Sequence, residues 1–211
     1  MKQFLFVLLL ILSSLPALPQ GKVLSDTESD AVVKRLTKMT AGITSMQCQF
    51  VQTKTMSMLA DPSVTKGNMY YEAPNQICWE YTEPYSNRFI VSEKTVTVQS
   101  ESKTDVIDLN NNRMYKSISD IVLGSVSGKK LFDKNVFGVE LFSGENQWIA
   151  VLSPIKRDMK RMFKKLTFYY DKETDLISKV EFVSSDDDVT SIRFKNMKLN
   201  QAINPDKFSA K

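Results

Sequence analysis

The side chains that could do chemistry in this chain of 211 residues include carboxylates and two cysteines but no imidazole. Histidine is absent altogether, which removes Ser-His-Asp and Cys-His nucleophile systems and every metal site that needs an imidazole. Glu80 and Glu83 could in principle pair as the acid and base of a glycosidase. The alternation around Trp79, however, turns Glu80 outward, away from any pocket. A hydrolase is therefore the function that the sequence supports least.

A second acidic group, Asp186-Asp187-Asp188 with Asp171, offers the oxygen ligands that Ca²⁺ prefers. It lacks the spaced ligands and the glycine of a calcium-binding loop. We expect a solvated turn at this position, and the sequence predicts no metal site and no cofactor.

Cys48 and Cys78 could form a disulfide if the chain is exported. Alternation places Cys48 on an inward face, whereas Cys78 is out of phase with the inward Trp79. If strand order is sequential, the two cysteines also lie two strands apart, roughly 9–10 Å, beyond the reach of a disulfide. The pattern argues against a bond, although the sequence alone leaves the pairing open.

Apolar residues recur with a period of two, which is typical of antiparallel strands with one apolar face. The pattern is densest in residues 67–91, where Pro74 and Pro84 mark the breaks between runs. It predicts about ten or eleven short strands over the whole chain. The candidate inward residues are Met46, Phe50, Met69, Tyr71, Ile77, Trp79, Tyr81, Phe89, Val91, Val96 and Val98. They could form a solid core or line a cavity.

Two segments have a helical period instead. Residues 24–44 start with a possible capping box, Ser25 and Glu28, and carry a narrow apolar stripe. Residues 117–126 predict a short apolar helix that packs into the core or covers an opening. The candidate lid residues are Leu36, Met39, Ile118, Ile121 and Val122. These elements fit a sandwich, a barrel or a curved sheet with helices over its mouth.

Residues 155–166 have the strongest charge bias in the chain. Basic pairs recur every four residues, with Met159, Met162 and Phe163 between them. Such a segment could approach anionic lipid head groups or an acidic protein surface, or it could be a solvated loop. The candidate docking residues are Lys156, Arg157, Lys160, Arg161 and Lys164.

The N-terminal segment and the net charge bear on where the protein is located in the cell. A positive start and a short apolar run within residues 1–20 predict a secretory signal peptide, because the run is too short to span a bilayer. Residues 21–211 then form a single domain, expected to be a soluble monomer outside the cytoplasm. The net charge of +4 is too weak, and the basic residues too dispersed, to predict nucleic acid binding.

The same residues resemble a known family, the outer-membrane lipoprotein carriers (LolA-like, of the LolA/LolB superfamily). The resemblance rests on a glycine-to-tryptophan core motif, an opening strand and a closing strand. The core motif comprises Gly67-Asn68-Met69-Tyr70-Tyr71, Pro74, Trp79-Glu80-Tyr81 and Pro84. The opening FxxxFxQ strand is matched by Met46, Phe50 and Gln52, and the closing strand by Ile192-Arg193-Phe194, Lys198-Leu199-Asn200 and Phe208.

The resemblance implies a mainly β (α+β) fold: an incomplete, curved antiparallel β-barrel with an α-helical lid over an apolar cavity. It implies a non-enzymatic periplasmic carrier of lipoprotein acyl chains, loaded by an inner-membrane transporter and unloaded at an outer-membrane receptor or membrane. Ala73 stands where the family's best-studied branch has an arginine that holds the lid shut, so this latch is missing or built differently. Two alternatives stay open: a carrier of another lipid or lipid-linked intermediate, and a non-transport envelope interaction domain with a filled core.

Overall fold

The structure, a computed structural model, describes residues 21–127 and 131–210. For residues 113–114 and 125–127 it describes the backbone only. The predicted signal peptide, residues 1–20, lies outside the described residues. Within the described part of the chain, no helix has the length and apolar character needed to cross a membrane.

The strands form a single antiparallel sheet that is open and curved rather than closed. Its order is β1-β8-β9-β10-β11-β12-β2-β3-β4-β5-β6-β7. The strand bounds are β1 (Lys22–Val23), β2 (Ser45–Thr55), β3 (Ser63–Glu72), β4 (Gln76–Glu83), β5 (Asn87–Val91), β6 (Thr95–Ser100), β7 (Thr104–Asp108), β8 (Phe137–Ser143), β9 (Gln147–Pro154), β10 (Phe163–Asp171), β11 (Ile177–Ser184) and β12 (Val189–Leu199).

This architecture confirms the predicted fold class. Eleven of the twelve strands coincide with alternating runs in the sequence. The additional strand, β1, has only two residues and pairs with the end of β8. Two residues are too few to carry a period, so the sequence offered no signal for it.

The first helix, α1 (Asp26–Ala41), begins where the capping box predicts. The Ser25 side chain accepts a hydrogen bond from the Glu28 backbone N–H, and the Glu28 carboxylate accepts one from the Ser25 backbone N–H. These bonds satisfy two backbone donors that a helix start leaves free. Val32 and Leu36 of α1 are buried against the sheet, as the apolar stripe predicts.

The other helical segments lie between strands. They are α2 (Arg113–Ser127), the one-turn α3 (Arg157–Lys160) and a 3-10 turn (Pro205–Phe208). The helix predicted at residues 117–126 is confirmed and starts four residues earlier than expected. The basic segment forms the single turn α3 and then enters β10.

The concave face of the sheet and the two long helices bury the apolar side chains in two adjoining clusters. The first packs α1 on the β8–β11 half and includes Leu36, Leu141, Leu152, Leu166 and Phe168. The second lies on the β2–β6 half and includes Met46, Phe50, Met69, Tyr71, Ile77, Val91 and Val96. Phe182, Phe194 and Met197, on the central strands β11 and β12, pack against both clusters and connect the two halves.

The C-terminal 3-10 turn covers the outer face of β4 and β5, in the β2–β6 half of the sheet. Arg88, only 9% exposed, donates hydrogen bonds from Nη2 to the carbonyls of Asp206 (3.2 Å) and Lys207 (2.8 Å). Lys207 in turn reaches Glu80 at 2.9 Å and lies over the ring of Tyr70. The turn is thus held by charge-assisted bonds, which are stronger than neutral ones.

Candidate functional site

Strand register places all eleven candidate inward residues on one face of the sheet. Opposite residues in an antiparallel pair point to the same side, so each register row shares a face. The first row is Met46, Tyr71, Ile77, Val91 and Val96. The second is Cys48, Met69, Trp79, Phe89 and Val98, and the third contains Phe50, Gly67 and Tyr81.

The aromatic members of these rows are in mutual contact. The ring centroid of Phe50 lies 4.5 Å from that of Trp79 and 5.2 Å from that of Tyr81. Tyr81 continues the contact to Phe89 at 5.9 Å. On the other side, Trp79 meets the edge of Phe194 at 6.0 Å. The geometry is the tilted or edge-to-face packing that aromatic pairs prefer.

Exposure rises along β4 and β5 toward the connection between them, whereas Met69 and Phe50 on β3 and β2 stay 1% exposed. The first row is buried throughout, and Ile77 has no exposed surface. Trp79, Tyr81 and Phe89, which lie closer to the β4–β5 connection, are partly exposed. The apolar face therefore opens at the end of the sheet that carries this connection, and we call that end the mouth.

Polar groups are few on this face. The Tyr81 hydroxyl donates to Gln52 Oε1 at 3.0 Å, at the mouth side of the aromatic group. Trp79 Nε1 is shielded from solvent and makes no hydrogen bond of normal geometry with the described residues. Burial raises the pKa of Tyr71 and raises the pKa of Cys48 to about 12, so both stay neutral. The face is an apolar surface with few polar atoms, among them the buried Trp79 Nε1 and Thr65 Oγ1.

The candidate lid residues lie over this face. Leu36 is 1% exposed, and Ile121 packs against the cluster beneath α1. Val122 packs against the cluster that contains Trp79. Met39 and Ile118 are partly buried. The helices lie over the apolar face, and α2 also reaches α3 in the β9–β10 connection at the mouth end. Movement of either helix stays a prediction.

The expected departure at Ala73 has a structural counterpart elsewhere. Ala73 itself donates only a backbone hydrogen bond, to the Thr44 carbonyl at 2.8 Å. On α1, Arg35 Nε instead contacts Asp175 Oδ2 at 2.6 Å, and Nη2 donates to the Lys172 carbonyl at 2.9 Å. A basic side chain thus does fasten a helix to the sheet, but it projects from α1 toward the β10–β11 turn.

The carboxylates considered for catalysis or metal binding are engaged in other contacts. Glu80 points to the outer face and pairs with Lys207, and Glu83 pairs with Lys66 at 2.7 Å. Asp171 caps the β10–β11 turn, at the opposite end of the sheet from Asp186-Asp187-Asp188. The structure therefore does not bring the four aspartates together. Among the described residues, no three Asp, Glu or Cys side chains are placed to share a metal ion.

The two cysteines are separate, as the strand pattern indicates. Strand order β2-β3-β4 puts one strand between them, and they face opposite sides of the sheet. Both are free thiols and both are buried.

The candidate docking residues lie on and beside α3. Lys156, Arg157, Lys160 and Arg161 are exposed. Lys164 differs, because its ammonium is paired with Asp187 at 2.6 Å. Any docking function therefore belongs to the α3 residues more than to Lys164.

Sequence reasoning omitted several residues of the concave face. Phe194 contacts Trp79, yet the sequence placed it only in the closing strand of the family motif and not among the inward residues. The β8–β11 half, with Phe168 and Leu152, was also omitted although it forms half of the face. Register across β12 and β2 brings these residues to the site, and no local signal in the sequence encodes that pairing.

Comparisons with solved structures agree with this architecture. An uncharacterized conserved protein from Thermus thermophilus has a TM-score of 0.54 at 10% identity, over 87% of this chain and 94% of that chain. Mycobacterium tuberculosis lipoprotein LppX has a TM-score of 0.50 at 12% identity, over 85% and 99%. A Pseudomonas aeruginosa MucA/MucB complex structure gives 0.51 at 11% identity, over 87% and 61%. At such identities the likeness concerns the fold alone.

A comparison with curated proteins found no match. The family model described as "Outer membrane lipoprotein carrier protein LolA" matches residues 41–211, which include every strand from β2 to β12. With that match and the open, curved sheet under two helices, the chain belongs to the LolA family.

Proposed function

We propose that this protein is a non-enzymatic periplasmic carrier that binds lipoprotein acyl chains on its concave apolar face and ferries them from the inner to the outer membrane. The observation that carries the proposal is the set of register rows ending in the partly exposed Trp79, Tyr81 and Phe89. A soluble protein seldom leaves contiguous aromatic side chains open at one end of its core unless they bind something.

The physical need for such a carrier follows from the cargo. Each buried methylene contributes about 0.8 kcal/mol, so acylated lipoproteins do not cross water unaided. The face also offers adaptable lining, because Met46 and Met69 are flexible and polarizable.

In this proposal α1 and α2 act as the lid. Their residues Leu36 and Val122 fill the buried end of the face when no cargo is bound and shift when acyl chains enter. An inner-membrane lipoprotein-releasing transporter would load the carrier, and an outer-membrane receptor or the membrane itself would receive the cargo. Family membership supports this part of the proposal. Export by a cleaved signal peptide at residues 1–20 is part of the same proposal.

Site-specific photo-crosslinking in cells tests the proposal. Trp79→p-benzoylphenylalanine places the probe on the concave face, and Val106→p-benzoylphenylalanine places it on the outer side of β7, where Val106 is 65% exposed. We expect lipoprotein adducts from position 79 and none from position 106. Mass spectrometry of the adducts identifies the cargo, and adducts with a different lipid would favour that lipid as the ligand.

A second candidate function is an envelope interaction domain with a filled core. It is favoured by the tight burial of the register row that runs from Met46 to Val96, in which Met46 is 1% exposed and Ile77 is fully buried. Equal labelling at positions 79 and 106, with no lipid recovered from the purified protein, would support this alternative and contradict the carrier.

A further inference from the structure

Five hairpin connections lie at the mouth end of the sheet; one of them, residues 101–103 between β6 and β7, is at the sheet edge, and the other four lie along the rest of this end. Alternate connections of an antiparallel sheet lie at the same end. Register places the following segments together there: 56–62 between β2 and β3, 84–86 between β4 and β5, 155–162 between β9 and β10, and 185–188 between β11 and β12. We call these four segments the mouth rim.

The rim carries large apolar side chains that do not join the core. Met58 is 93% exposed and Tyr85 is 74% exposed. Leu59 and Ile155 are about half exposed. Single exposed apolar residues are ordinary, but four on the connections at one end of a sheet indicate a contact surface.

The positive charge of the rim is confined to segment 155–162, because the four segments together contain four basic residues, all in this segment, and five aspartates. Segment 155–162 contains four basic residues and one acidic residue, Asp158. Among the described residues, Lys156, Arg157, Lys160 and Arg161 have no ion pair, and all four are exposed. The buried Met159, 3% exposed, anchors this turn to the core. The turn therefore presents its charges from a fixed position.

The acidic connection 185–188 joins the apolar and basic parts of the rim. Asp188 pairs with Lys54 at 3.5 Å and accepts a hydrogen bond from the Ser57 backbone N–H at 3.3 Å. Asp187 pairs with Lys164, and the Ser185 N–H donates to the Met162 carbonyl at 3.0 Å. Two of its three carboxylates are thus neutralised by basic side chains. Three exposed acidic groups of the rim have no ion pair among the described residues, and they are Asp61, Asp158 and Asp186.

We propose that the mouth rim docks on the surface of a lipid bilayer that contains anionic lipids. Met58, Leu59 and Ile155 enter the interface, while the α3 cations contact lipid phosphates. A bilayer matches these features better than an acidic protein does, because protruding apolar tips need no complementary groove in a bilayer. Docking at this end would point the mouth, with Trp79 and Phe89, at the membrane.

This inference goes beyond the proposed function and does not depend on it, because docking needs only the rim and carriage needs only the concave face. Each basic residue near an anionic surface contributes roughly a fivefold gain in partitioning. The contribution is screened by salt. Binding should therefore require anionic lipid and weaken as salt is added.

Vesicle co-sedimentation of the purified protein provides the test. The vesicles are pure phosphatidylcholine, or phosphatidylcholine with about one third phosphatidylglycerol. We expect binding to the anionic vesicles only, reduced roughly thirtyfold by Lys160→Gln with Arg161→Gln. Met58→Ser with Leu59→Ser should reduce binding by about tenfold or more.

Matched controls come from the other end of the sheet and from its edge. Lys38→Gln with Lys94→Gln removes two exposed charges away from the rim, and Val106→Ser removes an exposed apolar side chain from β7. Both controls should bind like the unmodified protein. No binding to anionic vesicles, or equal losses in rim and control variants, would overturn the inference.

The crosslinking experiment keeps the two proposals distinguishable. Lipoprotein adducts at position 79 without vesicle binding would overturn docking alone, and vesicle binding without adducts would overturn carriage alone.

Discussion

The ring of Phe50 occupies the space that a side chain at Gly67 would need. A Cβ built at Gly67 would lie 2.7 Å from Phe50 Cζ and 2.0 Å from the Glu80 carbonyl oxygen. The β3–β4 register also shifts between Lys66 and Gly67. Because Gly67 has no side chain, the Phe50 ring can lie over β3 and contact Trp79 and Tyr81.

Gly67→Ala should destabilise the protein by about 3 kcal/mol or more, because the backbone of β4 cannot yield as a flexible side chain could. Urea unfolding measures the change. Gly138→Ala is the matched control, since its Cβ would meet nothing closer than 3.8 Å. A loss at Gly67 no larger than at Gly138 would contradict this account of the aromatic packing.

Arg35→Gln should loosen α1, because Arg35 contacts both Asp175 and the Lys172 carbonyl. The Arg35 side chain is half exposed, so we expect a loss of only about 0.5–1 kcal/mol in the free energy of unfolding. Amide hydrogen exchange should speed up in α1 more than in the strands. Lys34→Gln, an exposed neighbour without an ion pair among the described residues, should leave exchange unchanged. Equal exchange in the two variants would show that Arg35 does not fasten the helix.

Neither thiol should react with a maleimide in the folded protein. Burial raises the pKa of Cys48 to about 12, and burial raises the pKa of Cys78 against the opposing effect of Arg88. The thiolate is the reactive form, so both groups are protected chemically as well as sterically. Labelling followed by peptide mass spectrometry distinguishes the two sites.

Arg88→Met should expose Cys78 selectively, because Arg88 holds the C-terminal turn over it. We expect the free energy of unfolding to fall by about 2 kcal/mol, which is within the range for hydrogen bonds from a charged group. Labelling should accelerate at Cys78 and not at Cys48, which faces the concave side. Equal acceleration at both cysteines would indicate global unfolding instead of release of the turn.

The ionised carboxylate of Glu181 stabilises the folded protein, and this stabilisation should be lost in acid. Burial opposes its ionisation, but hydrogen bonds from Tyr169 and Lys179, with the charges of Lys179 and Arg193, outweigh burial and lower the pKa of Glu181. The folded pKa is below the unfolded value of about 4.3, so this stabilisation is present above that pH and is lost as pH falls through the folded pKa. Glu181→Gln should flatten the acid side of a stability–pH curve. An unchanged acid slope would assign the pH dependence to other groups.

Local patterns in the sequence determined most of the elements of this protein. The capping box fixed the start of α1 at Ser25, and alternation assigned the inward residues of β2 to β6, because a period of two depends only on neighbouring residues. Alternation also placed Cys48 and Cys78 on opposite faces of the sheet, as the structure has them. The resemblance of the Gly67–Pro84 motif indicated the family, which the match over residues 41–211 establishes.

Tertiary structure alone decided what these elements do together. Pairing of β12 with β2 joins the two half-sheets and brings Phe194 to Trp79, although the two residues are far apart in the chain. The same pairing places the acidic turn between the apolar and basic connections of the mouth rim. Such contacts depend on strand order and curvature of the whole sheet, and no short stretch of sequence contains that information.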